Sequence, residues 1–69
     1  MVDTPSAEAL EAFKQAAVIV TRDRKASVSY LQRQMQIGYN SATILMEALE
    51  TAGVVSKPDH AGKREILAT

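Results

Sequence analysis

Apolar residues recur along this chain at helical spacing in three separate blocks. Leu10, Phe13, Ala17 and Val20 fall at i, i+3, i+7 and i+10, which is one face of a helix. Val18 and Ile19 widen that stripe, and Phe13, the single phenylalanine, is its expected core anchor. The spacing predicts a helix over 7–20, with Ser6 as its N-cap and Glu8 and Glu11 near the positive end of its dipole. The run AAVIV taken alone also suits a strand, but it continues the preceding periodic face.

A second block places Val28, Leu31 and Met35 inward, with Gln32, Arg33 and Gln36 outward. Ser27 or Ser29 is the expected cap. Gly38 is expected to end this helix in a left-handed conformation, and Asn40 to cap the next. The third block predicts a helix over 41–52, with Ala42, Leu45, Met46 and Leu49 buried at i, i+3, i+4 and i+7. Ser41, Thr43, Ile44, Glu47 and Ala48 remain on its other faces, and Gly53 is its C-cap.

Beyond Gly53 the period changes. Val54–Ser56 and Arg64–Leu67 read as two strands. The intervening KPDHAGK supplies Pro58, Asp59 and Gly62 as turn formers. The pattern is a helix, a glycine turn, a second helix and a hairpin. It predicts an α+β, mostly α fold: a winged helix-turn-helix of three helices with a C-terminal β-hairpin wing. Ala26–Val28 is the place for a very short strand pairing with that wing. Residues 1–5 are expected to be a disordered tail, and 6–69 a single domain.

Composition narrows what such a fold can do. Sixty-nine residues with 46% hydrophobic content allow one small core. No cysteine is present, so neither disulfides nor thiolate metal sites are available. That absence fits a cytoplasmic setting. No apolar run approaches the roughly 20 residues that span a bilayer, and the first ten residues lack the pattern of a signal peptide. No direct membrane contact is expected.

Net charge is zero, which argues against a strong nucleic-acid binder. Its distribution argues the other way. Arg22, Arg24, Lys25 and Arg33 against Asp23 make residues 21–40 basic, while both flanking stretches are acidic on balance. A local patch of this kind can hold phosphates on a neutral protein.

Catalytic chemistry is missing. There is no phosphate-cradling glycine loop and no carboxylate pair placed for acid–base work. His60 stands alone in a predicted loop with no second ligand, so neither a metal nor another cofactor is expected. The chain reads as a binding module, not an enzyme, with no small-molecule substrate.

Several strings then carry a family resemblance: RKAS at 24–27, LQRQ at 31–34, IGYN at 37–40, the run from Met46 to Val55, and G-x-R-E-I-L at 62–67. Together they cover roughly residues 10–68. The chain resembles, as a divergent member, the C-terminal gamma domain of the FtsK/SpoIIIE DNA translocases. The resemblance implies a winged-helix domain that recognises short, G-rich orienting sequences in double-stranded DNA. It also implies contact with a tyrosine recombinase. The motor, and any inner-membrane anchor, would lie elsewhere in a parent polypeptide. Family members typically read N-R-A-A-R where this chain has Asn40-Ser41-Ala42-Thr43-Ile44. Two arginines of the reading helix are thus replaced by Ser41 and Ile44.

On this reading Asn40, Ser41, Thr43 and Ile44 face base edges, with Ile44 suited to a thymine methyl. Arg24, Lys25, Ser27, Gln32, Arg33, Tyr39, Lys63 and Arg64 are the phosphate-contacting candidates. Alternatives stay open. Residues 21–25 also suit a solvated connector, Tyr39 a core lid, and the hairpin a solubilising surface. The whole domain also suits a protein-interaction module that has shed sequence-specific DNA binding, or a small winged-helix transcription regulator.

Overall fold

The computed structural model describes residues 7–68. The expected Ser6 cap and the tail at 1–5 lie outside them. The described residues form three helices: α1 (Ala7–Asp23), α2 (Val28–Met35) and α3 (Tyr39–Thr51). No strand occurs among them, so the fold is all-α. This corrects the expected α+β class and its β-hairpin wing.

The hairpin contracts to one isolated antiparallel bridge, Val55 to Ile66, and the hydrogen bonds show why. The Ser56 N–H donates to the Glu65 carbonyl and the Leu67 N–H to the Val54 carbonyl. A longer ladder would need the Glu65 N–H on the Ser56 carbonyl. Instead that N–H donates to Ser56 Oγ at 2.9 Å, and the Arg64 guanidinium donates to the Ser56 carbonyl at 3.0 Å. At the other end the Val54 N–H is already given to the Leu49 carbonyl of α3. Pro58, lacking an N–H, cannot extend pairing either, and Asp59 Oδ1 accepts from Ala61 and Lys63 to close a separate turn. The groups a ladder would use are thus bonded, but not in strand geometry. The predicted short strand at Ala26–Val28 is absent too: Ser27 is the N-cap of α2, its Oγ accepting from the Tyr30 N–H at 3.3 Å.

Helix ends also depart from the sequence pattern. α1 runs through Asp23, past the predicted end at Val20, and Arg24 follows at φ 57° with the Lys25 N–H on the Val20 carbonyl. α2 ends in a left-handed Gln36, φ 54°. That role was expected of Gly38, which is extended (φ −75°) and caps α3 without a side chain. Asn40 is therefore inside the first turn of α3 and is not its cap. α3 closes in the expected place: Gly53 is left-handed at φ 81°, its N–H on the Glu50 carbonyl and the next N–H on that of Leu49. This is the double bond of a Schellman ending.

One core joins the three helices to the C-terminal segment. Ala16 and Val20 of α1, Leu31 of α2, Ala42, Met46 and Leu49 of α3, and Val55 are buried together. Phe13, Ala17, Val28, Met35, Leu45 and Ile66 pack partly buried around them. Leu10 and Val18, assigned inward by periodicity, are about half exposed: the buried face of α1 is centred on Ala16 and Val20, with Phe13 and Ala17 partly buried beside them.

Candidate nucleic-acid interface

The core takes Ala42, Met46 and Leu49 of α3 and leaves its opposite side to solvent. Asn40, Ser41, Ile44 and Glu47 are exposed there, Ile44 at 65%. Tyr39, at the helix start, is 60% exposed and is no core lid. With Gly38 giving no side-chain cap, the first-turn N–H groups of α3 are unclaimed by any side chain and point out of the helix end. Thr43 differs from its neighbours. Its Oγ1 is shut from solvent without a hydrogen-bond partner, so the hydroxyl is turned away from that exposed side.

A second group gathers at the corner between α1 and α2. Arg24 and Lys25 are exposed beside the capping Ser27. Asp23 and Tyr30 meet across the corner, Tyr30 Oη donating to Asp23 Oδ2 at 2.6 Å. Arg22 donates to the same carboxylate through Nε and Nη2, at 2.9 and 3.1 Å. These two donors, Arg22 first, hold the Asp23 carboxyl well below its usual range, at about 2. The Tyr30 phenol is raised in return, chiefly because it donates to Asp23. Lys25 Nζ sits 5.3 Å from the centre of the Tyr30 ring, within cation–π range.

The two groups are apart. Ala9 and Ala12 of α1 line one hollow with Ile37, Ser41, Ile44 and Leu45, so α3 begins beside the first half of α1. The basic corner lies at the far end of α1. From Ala12 to Asp23 is about 17 Å at 1.5 Å per residue. That distance is of the order of a DNA groove and its flanking phosphates.

Arg33 is exposed on α2 and Gln32 half-buried. Lys63 is exposed. Arg64 is committed inward: its Nη1 is 2.7 Å from Glu50 Oε1, and its side chain is 12% exposed. Tyr30, Asp23 and Glu50 are the residues that sequence reasoning missed. Asp23 and Tyr30 are seven positions apart across a break between helices, so no single periodicity pairs them. The only legible hint was a tyrosine on a short helix directly after a cluster of charges.

No helix among the described residues is long and apolar enough to cross a membrane. Comparison with known proteins follows the quoted motifs. The Ftsk gamma domain profile matches residues 7–69. DNA translocase FtsK of Bradyrhizobium diazoefficiens is 64% identical over 55 residues, 80% of this chain and 7% of that protein. The corresponding figures for DNA translocase FtsK of Caulobacter vibrioides are 62%, 81% and 7%. DNA translocase FtsK 1 of Neisseria meningitidis serogroup A is 55% identical over 65 residues, 94% of this chain and 8% of that protein. The chain therefore spans under a tenth of the length of these relatives. On both the profile and the identities, it belongs to the FtsK gamma domain family.

Proposed function

We propose that this domain binds double-stranded DNA, with the outer side of α3 toward base edges and the α1–α2 corner on the phosphate backbone. The observation that carries this reading is the exposure of Asn40, Ser41 and Ile44 on the first turns of α3, while the core occupies the helix's other side. Arg24, Lys25 and Arg33 are exposed cations available to phosphates, and Lys63 adds a fourth from the C-terminal segment. Ser27 follows Lys25 at the α2 cap, Gln32 adjoins Arg33, and Tyr39 offers a hydroxyl at the α3 end. The relatives are DNA translocases, which supports the same ligand.

Within such a parent polypeptide the domain serves recognition, and the motor is another part of the chain. It reads short orienting sequences and touches a tyrosine recombinase. Its base preference is shifted. Arginine held bidentate on guanine contributes about 1–3 kcal/mol of discrimination, and neither Ser41 nor Ile44 can supply it. Ile44 instead presents an apolar surface suited to a thymine methyl. A single small module buries only about 600–1,000 Å², so affinity comes chiefly from several tethered copies.

One observation favours a second reading, a protein-interaction module. Ile44 borders an apolar hollow of about 310 Å³ with Ala9, Ala12, Ile37 and Leu45, and Glu47 stands exposed on the same helix. A carboxylate there repels phosphates, and an apolar hollow suits a partner side chain.

Titration against mixed-sequence and G-rich duplexes at two salt concentrations separates the readings. DNA binding requires affinity that falls by about 0.9 log units per tenfold rise in salt for each phosphate neutralised. A flat, weak response at low salt supports the second reading and ends the first.

A further inference from the structure

We propose that Tyr30 is a positioning residue: together with Arg22 it occupies the Asp23 carboxylate and gives Lys25 an aromatic face in its place, so that the Lys25 ammonium stays free for a phosphate. This inference rests on the DNA-binding reading above and adds to it the device that keeps one cation available.

Asp23 lies two residues from Lys25 in sequence and is its nearest acidic residue. An exposed lysine so placed is open to pairing with that carboxylate, which weakens its pull on an incoming anion. In the structure both oxygens of Asp23 already accept hydrogen bonds from other groups. Oδ1 accepts from Arg22 Nε, and Oδ2 from Arg22 Nη2 and, at 2.6 Å, from Tyr30 Oη. Lys25 turns to the Tyr30 ring at 5.3 Å. A ring face orients an ammonium through its quadrupole and carries no net charge. The cation is thus oriented by the ring and forms no ion pair with Asp23.

The backbone supports the same geometry. Arg24 takes the left-handed conformation and the Lys25 N–H closes α1 on the Val20 carbonyl. Ser27 then caps α2 through the Tyr30 N–H. Tyr30 is therefore anchored at its amide by the corner and at its hydroxyl by the end of α1. Lys25 lies between those anchors.

The test is binding of a short mixed-sequence duplex between about 50 and 200 mM salt. It compares the unaltered domain with Lys25→Gln, Tyr30→Leu, Tyr30→Phe and the Tyr30→Phe/Asp23→Asn pair. Loss of one phosphate contact removes about 3.5-fold from the fall in affinity over that fourfold range. Lys25→Gln and Tyr30→Leu are each expected to show that loss, and Tyr30→Leu added to Lys25→Gln no further loss. Tyr30→Phe frees the carboxylate to capture Lys25 and lowers the slope. Adding Asp23→Asn removes the competing charge and restores it, a rescue that a merely structural role would not give. Without DNA, the Lys25 ε-methylene protons are expected upfield from the ring current, and Tyr30→Leu returns them.

Wild-type slopes in both Tyr30→Leu and Tyr30→Phe overturn this inference and leave the DNA reading intact. So does a Tyr30→Leu loss that persists at full size in the Lys25→Gln background. Absence of any salt-dependent binding by the unaltered domain overturns the DNA reading, and this inference with it.

Discussion

Arg64 Nη1 lies 2.7 Å from Glu50 Oε1, joining the C-terminal segment to the last turns of α3 across fourteen positions of sequence. The same nitrogen donates to the Ser56 carbonyl at 3.0 Å. Replacing Arg64 by Gln leaves two acceptors short of a charged donor. The expected loss is about 1.5–3 kcal/mol, read by chemical denaturation. Lys63→Gln, on the exposed neighbour, is expected to leave stability unchanged and to lower the salt slope of DNA binding by about 0.9.

The left-handed positions predict opposite signs at two sites. Gln36 adopts φ 54° without being glycine, so Gln36→Gly is expected to stabilise by about 0.5–1 kcal/mol. Gly53 sits at φ 81°, and Gly53→Ala is expected to destabilise by about 1 kcal/mol. A thermal midpoint measurement resolves both, since 1 kcal/mol moves a domain this small by roughly 4–8 °C.

Thr43 has a buried hydroxyl without a partner. Thr43→Val keeps its shape and removes the unsatisfied oxygen, and is expected to stabilise by about 1 kcal/mol. DNA affinity is expected to stay unchanged, because that hydroxyl does not reach the exposed side of α3. A fall in affinity in Thr43→Val would return Thr43 to the base-facing group.

Ser41→Arg and Ile44→Arg together are expected to raise the preference for G-rich over mixed duplexes by at least tenfold, at about 1–3 kcal/mol for each bidentate contact. Competition binding at fixed salt measures this. An equal gain for both duplexes would show added charge without base reading.

Asp23 gives a pH signature. Its folded value is depressed to about 2, first by Arg22 and then by Tyr30. The stability it contributes is full above the unfolded carboxylate value, near 4. It disappears as pH falls through about 2. The stability difference between the wild type and Asp23→Asn is therefore expected to be constant above that upper limit and to shrink toward zero below it. Denaturation midpoints across acid pH test the window.

Much of the helical part was legible because burial follows period. The Ala42–Met46–Leu49 stripe and Leu31 were assigned inward and are buried. The Gly53 ending was legible because glycine at the close of an apolar stripe has few other uses. The hairpin was not. Adjacent valines and a turn-rich loop carry the strand pattern, but side chains of Ser56, Arg64 and Asp59 take the backbone groups a ladder requires. Competition of this local kind has no period. Gly38 misled for a related reason: an extended backbone suits any residue, and the strained position fell two residues earlier, on Gln36. At the candidate interface, the exposure of Asn40, Ser41 and Ile44 could be anticipated from helix phase. The Tyr30–Asp23 contact could not, since it crosses the corner between helices.

The length of α1 has a bearing on how the domain is attached to anything else. Its seventeen residues run about 25 Å. Its first turns neighbour the hollow beside Ser41 and Ile44, while Ala68 approaches Arg24 at the opposite extremity. A tether joined directly at the start of α1 therefore meets the molecule on the α3 side. One placed downstream emerges next to the cationic corner, where a bulky or acidic appendage would screen Lys25.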